Sequence, residues 1–364
     1  MFNKVKGNFG FGCMRFPMKD GEVDKEHVNR MVDRFIEAGF NYFDTAHGYI
    51  DGKSEIAVRE CLTSRYPRES YVLANKLSEW FFKSAEEVRP LFEQQLKICG
   101  VEYFDFYLFH ALNRASYEKH KECHTFETVD QLKNEGKIKH IAMSFHDSAE
   151  VLDTILSEQP EIEAVQLQIN YLDYDDPGVQ SKKCYDVAAK HGKKVIVMEP
   201  VKGGALVNLP SAAEEEFKKL GGASPVSYVL RYAASFPEVF MVLSGMGSIE
   251  MVESNIATML PFTPLTEEEQ KATDRAREII RSYKQIPCTG CRYCAEVCPK
   301  NVPIADIFAA YNEYALAKVT KRQMFTTLDS FEVKPSDCIE CGKCENICPQ
   351  SINIRERLKG FVKK

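Results

Sequence analysis

Two short runs near the end of the chain constrain its fold more than any other stretch. Cys288, Cys291, Cys294 and Cys298, followed by Pro299, give the spacing C-x2-C-x2-C-x3-C-P, and Cys338, Cys341, Cys344 and Cys348, followed by Pro349, repeat it. Eight of the thirteen cysteines fall in these runs. Their spacing is that of cysteines ligating 4Fe-4S clusters. Tetrahedral zinc, the competing occupant, usually takes paired C-x2-C knuckles rather than two four-cysteine runs ending in proline. A tail of this kind is also a folding element, because bound metal supplies stability that a domain under about 80 residues lacks. The other five cysteines, Cys13, Cys61, Cys99, Cys123 and Cys184, are scattered and read as buried thiols of a reducing compartment.

Ahead of the tail the pattern changes. Residues 10 to 260 alternate short apolar runs with longer amphipathic stretches, as expected of βαβ units around a parallel sheet. The runs are Phe9–Phe16, Asn41–Thr45, Tyr71–Lys76, Phe104–His110, Ile138–Phe145, Ala164–Asn170, Lys194–Pro200 and Phe240–Met246. Their near-continuous hydrophobicity suits strands buried on both faces, and eight such strands close a barrel. An open doubly wound sheet is expected to show a glycine-rich fingerprint after its first strand, whereas only Gly10 and Gly12 are present there. Helical periodicity is expected over Asp24–Ala38, Ser84–Cys99 and Ser116–Glu135, with Ser84 and Glu87 as a capping box and Gly39, Gly100 and Gly136 as stops. A polar helix over Thr266–Lys284 leaves the barrel. The expected architecture is α/β: a (β/α)8 TIM barrel over residues 1–284 and a small, mainly α-helical domain over 285–364.

Composition narrows the function classes. At 364 residues, 44% hydrophobic and 27% charged, the chain is long enough for one large and one small domain. A net charge of -6 argues against nucleic acid as a partner. The sequence has no apolar segment of signal-peptide form and no run of 18 apolar residues, so the expectation is a cytoplasmic protein without a membrane partner.

A barrel delivers the last residues of each strand to one face. Asp44 closes the second run within FDTAHGY, which also supplies Tyr49; Lys76 closes the third within LANK; His110 closes the fourth within LFH. With the following GKSE at Gly52–Glu55, this series resembles the aldo-keto reductases in order over about 280 residues. The resemblance implies a catalytic set of Asp44, Tyr49, Lys76 and His110. A tyrosine is a poor proton source near neutral pH, but an adjacent ammonium makes it a useful general acid. Lys76 would be that ammonium, Asp44 would hold it, and His110 would orient a substrate carbonyl toward Tyr49.

The resemblance also implies a cleft for NAD(P)(H). Ser144 in AMSFH and Gln168 and Asn170 in QLQIN match the nicotinamide side of that cleft. Gly203 and Gly204 in PVKGGAL let backbone N–H groups approach a pyrophosphate. The stretch LSGMGSIEMVESN supplies Ser244, Gly245, Ser248, Glu253 and Asn255, with Ser248 as a helix N-cap that favours a phosphate. Gly247 stands where the family usually carries an arginine for the 2'-phosphate of NADP, which leaves NADH and NADPH both open. Trp80, Phe81 and Phe82 fall where the family builds its substrate walls, near Cys13, Arg15 and His47.

The tail resembles an α-helical ferredoxin module. In two-cluster ferredoxins the fourth cysteine of each run ligates the other cluster. On that basis Cys288, Cys291, Cys294 and Cys348 would hold one of two 4Fe-4S clusters, and Cys338, Cys341, Cys344 and Cys298 the other. The 39 residues between the runs contain a helix-like stretch, Ile304–Leu316. The expected function is oxidoreduction of a small carbonyl or alcohol with a nicotinamide cofactor, coupled to electron transfer through the clusters and a redox partner protein. Two other readings stand beside it: an electron-transfer reductase using another cofactor, and a redox-sensing ligand-binding protein. No flavin motif is visible, although barrels bind flavin without a short signature.

Overall fold

The computed structural model describes residues 2–221 and 224–362. Eight parallel strands close into a barrel in chain order: β1 (Phe9–Gly12), β2 (Tyr42–Asp44), β3 (Val72–Leu77), β4 (Phe104–Leu112), β5 (Ile138–Phe145), β6 (Ala164–Gln168), β7 (Lys194–Met198) and β8 (Val239–Gly245). The last strand pairs back onto the first, Phe9 opposite Val242 and Gly12 opposite Gly245. The strand ends lie within two residues of the sequence expectation except at β1, which stops at Gly12 because Cys13–Arg15 turns into a 3-10 helix.

Inside the barrel, Tyr42, Val72, Phe106, Leu108, Ile196, Met241 and Leu243 form a dry core. Gly10 is required by this packing, since a Cβ there would stand 2.7 Å from Leu243 and 2.8 Å from Met241. Phe2, Val5 and Phe240 pack beneath it. The Phe2 ring meets Phe106 at 5.0 Å, His140 at 4.8 Å and Phe240 at 4.6 Å between centroids. These rings stopper the end from which the strands start, and polar groups gather at the opposite end.

The helices follow the apolar periodicity with two departures. Ser84 sits at the N-cap of the Ala85–Cys99 helix, but its side chain makes no cap bond and Glu87 instead accepts from the Lys83 backbone N–H at 2.7 Å. The expected single helix over Ser116–Glu135 is two, Arg114–Glu122 and Thr125–Asn134, broken at His124 in the left-handed region. There the Thr125 hydroxyl bonds back to the His120 carbonyl at 3.1 Å, an alternative to the helical ladder. A short antiparallel ribbon, Met18–Lys19 with Glu22–Val23, turns at Asp20–Gly21, both at positive φ. Among the described residues no helix is long and apolar enough to cross a membrane.

By packing the chain forms two compact units, Met1–Pro200 with Ser227–Leu265, and Val201–Val226 with Thr266–Lys364. The second unit is helical, its core built by Ile286, Val302, Ile304, Ile307, Phe308, Met324, Leu328, Ile354 and Leu358. Five of the eight run cysteines, Cys288, Cys294, Cys298, Cys338 and Cys348, pack against this core, and Cys344 is part of it. The cysteine runs belong to an internal repeat offset by 50 residues. Val302 and Ile352, Ile304 and Ile354, and Phe308 and Leu358 are equivalent buried pairs. The backbone repeats too: Arg292 and Gly342 both take positive φ at the head of a short helix, as do Asn301 and Ser351 after it.

Candidate functional site

The four strand-end residues converge. Asp44 ends β2, Lys76 lies in β3 and His110 in β4, while Tyr49 stands on the turn after β2. All are buried, from 1% exposed for Lys76 to 8% for Tyr49. The Lys76 ammonium pairs with Asp44 Oδ1 and donates to the Thr45 carbonyl at 2.9 Å. It also lies 4.7 Å from the centre of the Tyr49 ring, which meets the His110 ring edge-on at 5.9 Å. Burial lowers Lys76 from the usual lysine range and raises Asp44 from the usual carboxylate range, while their mutual attraction opposes both shifts. Asp44 Oδ2 is buried without a hydrogen-bond partner.

His110 is held well below the ordinary imidazole range, first by burial and then by the Lys76 charge. It is therefore neutral near pH 7, with one ring nitrogen donating and the other accepting. Ser78 Oγ lies 2.6 Å from its Nδ1, and the Trp80 ring is 5.1 Å away. Ser78 is a contact that sequence reasoning missed; its only signal was its place two residues after Lys76.

A polar belt supports this group. Glu55, fully buried, accepts from Asn75 at 2.7 Å and Gln95 at 3.2 Å, and its second oxygen lies 2.7 Å from His47 Nδ1. Gln95 also donates to the Lys76 carbonyl at 3.0 Å and accepts from Tyr107 at 2.6 Å. The backbone that presents Lys76 is thus fixed by buried polar side chains. His47 packs against Phe81 at 4.8 Å between ring centres.

The residues matched to a nicotinamide cleft lie on later strand ends. Ser144 Oγ accepts from the Ala111 backbone at 2.7 Å. Gln168 and Asn170 both donate to Asp173 Oδ2, at 2.6 and 2.9 Å, and Asn170 also donates to the Glu199 carbonyl at 3.0 Å. Asp173, buried and unforeseen, orders the two amides. Ser244 accepts from Asn255 at 3.1 Å, and the Ser248 hydroxyl caps the Ile249–Met259 helix by accepting from Met251. Glu253 is half exposed in an ion pair with Arg34 at 2.7 Å. The Arg15 side chain lies along Gly245, 3.1 Å from where a Cβ would stand, and its carbonyl oxygen lies 3.5 Å from the same position on Gly247. Ser144, Gln168 and Asn170 are thus buried, neutral and held in place before any ligand arrives.

Gly203 and Gly204 belong to the second unit. A Cβ on Gly203 would stand 2.1 Å from the Thr289 carbonyl oxygen, and Gly203 takes φ +62, so packing alone demands glycine there. Gly204, at φ +96, has room at that position, with only Asn208 Nδ2 in ordinary contact at 3.8 Å.

The cysteines gather across the repeat. The Cys294 thiol is pushed up to about 12 by burial and then by its neighbours Cys291, Cys288 and Cys348. Cys344 is pushed up to about 11 by burial, then by Glu345, Cys338 and Cys298. Cys298, Cys338, Cys341 and Cys344 line one cleft, with Lys300 and Arg355 at its edge. Thiols that repel one another as anions suit a polycationic group, and the fourth cysteine of each run sits with the other run's three. Among the described residues no three such side chains gather closely enough to hold a single ion. The remaining five cysteines are all buried and unbridged.

Comparisons agree with this layout. The family model described as the aldo/keto reductase family matches residues 8–278, and a 4Fe-4S dicluster domain model matches residues 287–352. L-galactose dehydrogenase of Arabidopsis thaliana is 25% identical over 298 residues, covering 76% of this chain and 91% of that protein. The NADH-specific methylglyoxal reductase of Escherichia coli is 26% identical over 210 residues, 52% of this chain and 61% of that protein. A holo aldo-keto reductase of Bacillus halodurans superposes with a TM-score of 0.61 at 26% identity, covering 74% of this chain and 91% of that one. An aldo-keto reductase of Klebsiella pneumoniae in complex with NADPH has a TM-score of 0.59 at 21% identity, covering 74% and 90%, and shares the fold.

Proposed function

The chain belongs to the aldo/keto reductase family, and from that premise we propose that it interconverts a small carbonyl and its alcohol with a bound nicotinamide cofactor, using Asp44, Tyr49, Lys76 and His110. The observation that carries the reading is the Lys76 ammonium, paired with Asp44 and 4.7 Å from the Tyr49 ring centre, with all four side chains buried.

Bound nicotinamide supplies the hydride; Ser144, Gln168 and Asn170 would hold its carboxamide, and Ser244, Gly245, Ser248, Glu253 and Asn255 the rest of the dinucleotide. Tyr49 gives its phenolic proton to the carbonyl oxygen as charge develops there. Lys76 stabilises the phenolate that remains, and Asp44 keeps the ammonium in place against its own tendency to discharge on burial. His110, neutral, donates from Nε2 to the same oxygen when Ser78 donates to Nδ1, so the two donors meet the developing charge from different sides. Gly247 brings no cation for a 2'-phosphate, which favours NADH.

In this proposal the two cysteine sets hold two 4Fe-4S clusters that exchange electrons with the barrel chemistry. Clusters pass electrons singly and hydride carries two, so a pair of clusters matches the count. Anaerobic titration of cluster-replete protein with NADH and with NADPH, following visible bleaching and nicotinamide oxidation together, tests it. Coupled bleaching supports one redox chain. Nucleotide binding without bleaching leaves a conventional reductase with a separate tail, and no binding of either nucleotide overturns the proposal.

A further inference from the structure

The 50-residue repeat gives every position in one cysteine run a counterpart in the other, and two of these pairs differ in cover. Thr289, the residue after the first cysteine, is 4% exposed, its carbonyl pressed against Gly203 of the Val201–Val226 segment. Its counterpart Ile339 is 56% exposed, more than any other large hydrophobic residue among the described residues. Cys291 is partly covered, whereas its counterpart Cys341 is exposed. One run is roofed and the other is bare.

The charge around the bare run is as distinctive. Residues 285–364 carry 12 Lys and Arg against 9 Asp and Glu, while residues 1–284 carry 35 against 44. At the bare run two acids are matched by cations, Glu345 by Arg355 at 2.7 Å and Glu340 by Lys359 at 2.7 Å, while Asp337 accepts from the Lys334 backbone N–H at 2.8 Å. Exposed Lys300, on the rim of the cysteine cleft, and exposed Lys343, two residues after Cys341, are the surplus cations.

We propose that Ile339, Cys341, Lys343 and Lys300 form the docking face for a one-electron carrier protein with an acidic surface. A small apolar centre ringed by charge suits a brief encounter, in which charge steers and the contact need not be large. The exposed thiolate brings the redox group to the surface. Each encounter moves one electron: the carrier is oxidised by one, the group held by Cys298, Cys338, Cys341 and Cys344 is reduced by one, and no proton or leaving group is transferred. The proposal rests on the reading that the tail holds 4Fe-4S clusters.

Iron and acid-labile sulfide analysis of the full-length protein comes first, because their absence would sink the cluster reading rather than the docking face. Loaded protein is then mixed anaerobically with a reduced acidic plant-type 2Fe-2S ferredoxin as probe, and bleaching of the tail's absorbance is followed by stopped flow. The expected rate falls with added salt, and falls about tenfold or more in the Ile339→Glu/Lys343→Glu double variant. Lys321→Glu/Arg322→Glu, a comparable charge change elsewhere in the tail, should stay within about twofold of the parent, as should dithionite reduction of every form. Carbodiimide cross-linking mapped by mass spectrometry gives a second readout that does not depend on potential, with the expected bond at Lys343 or Lys300. Equal slowing by both double variants, no slowing by either, or an absence of both bleaching and cross-links would overturn the docking face.

Discussion

The barrel mouth and the cysteine unit position their chemistry in opposite ways. At the mouth, each polar group comes from a strand end and is fixed by protein alone: Lys76 by Asp44, Thr45 and the Gln95 bond to its own carbonyl, His110 by Ser78. In the second unit the thiols stand on loops and short helices, several packed into a core of modest size. The first arrangement is complete before ligand arrives. The second gathers groups that repel one another unless something positive lies among them, so its geometry and its stability depend on what it holds.

The strongest test of this contrast removes one proton donor. Tyr49→Phe keeps the ring packing and should lower carbonyl turnover about 100- to 10,000-fold, with cluster absorbance unchanged. Turnover close to the parent value would mean that the barrel chemistry does not run through Tyr49. Stripping iron with a chelator under reducing conditions should next separate the units. The second unit is expected to lose its cooperative melting while the barrel transition stays near its original temperature, as read by calorimetry. A barrel that melts with it would erase the distinction.

A narrower probe lies at Gly203. Gly203→Val combines an unfavourable φ with a clash against backbone, and should destabilise the second unit by several kcal/mol, in contrast to Gly204→Ala, which meets only an ordinary contact with Asn208 and mainly the cost of positive φ. Denaturant melts of the two variants check it.

Acid should act on the barrel through its buried histidines. His120, fully buried among Phe82, Phe109 and Phe126, is pushed down to about 3 by burial and then by Lys119. Its folded value lies below its unfolded one, so its neutral form supports the fold above about pH 6.5 and that support is lost as pH falls toward about 3. His120→Phe should flatten the fall in barrel stability with acid, read by circular dichroism on iron-free protein; an unchanged slope would remove His120 as a cause. The smallest effect is expected at Ser78→Ala, a loss of about tenfold in kcat with little change in KM if the hydroxyl fixes the His110 tautomer. Because His110 is held far below the usual imidazole range, the parent's rate should not drop near pH 6.5 on its account.

Much of the barrel could be read from the chain because its strands are short apolar runs whose last residues carry unusual chemistry. Asp44, Lys76 and His110 announce themselves by position, and the cysteines by spacing. What escaped reading was made by contacts distant in sequence or by competing local bonds. Nothing near Gly203 signals Thr289, 86 residues away, so a glycine that packing demands was read only as room for a phosphate. Glu55 closes the GKSE motif, but its part as a buried acceptor is legible only when Asn75 and Gln95 are seen to close on it. The break at His124 and the unused Ser84 cap arise where a side chain found a backbone partner other than the one the motif suggests.

The division into units has a topological consequence. The chain passes from one unit to the other at residues 200/201, again at 226/227 and again at 265/266. The second unit therefore draws on both family segments: the 4Fe-4S dicluster match at residues 287–352 lies wholly within it, while its Val201–Val226 piece falls inside the aldo/keto reductase match at residues 8–278.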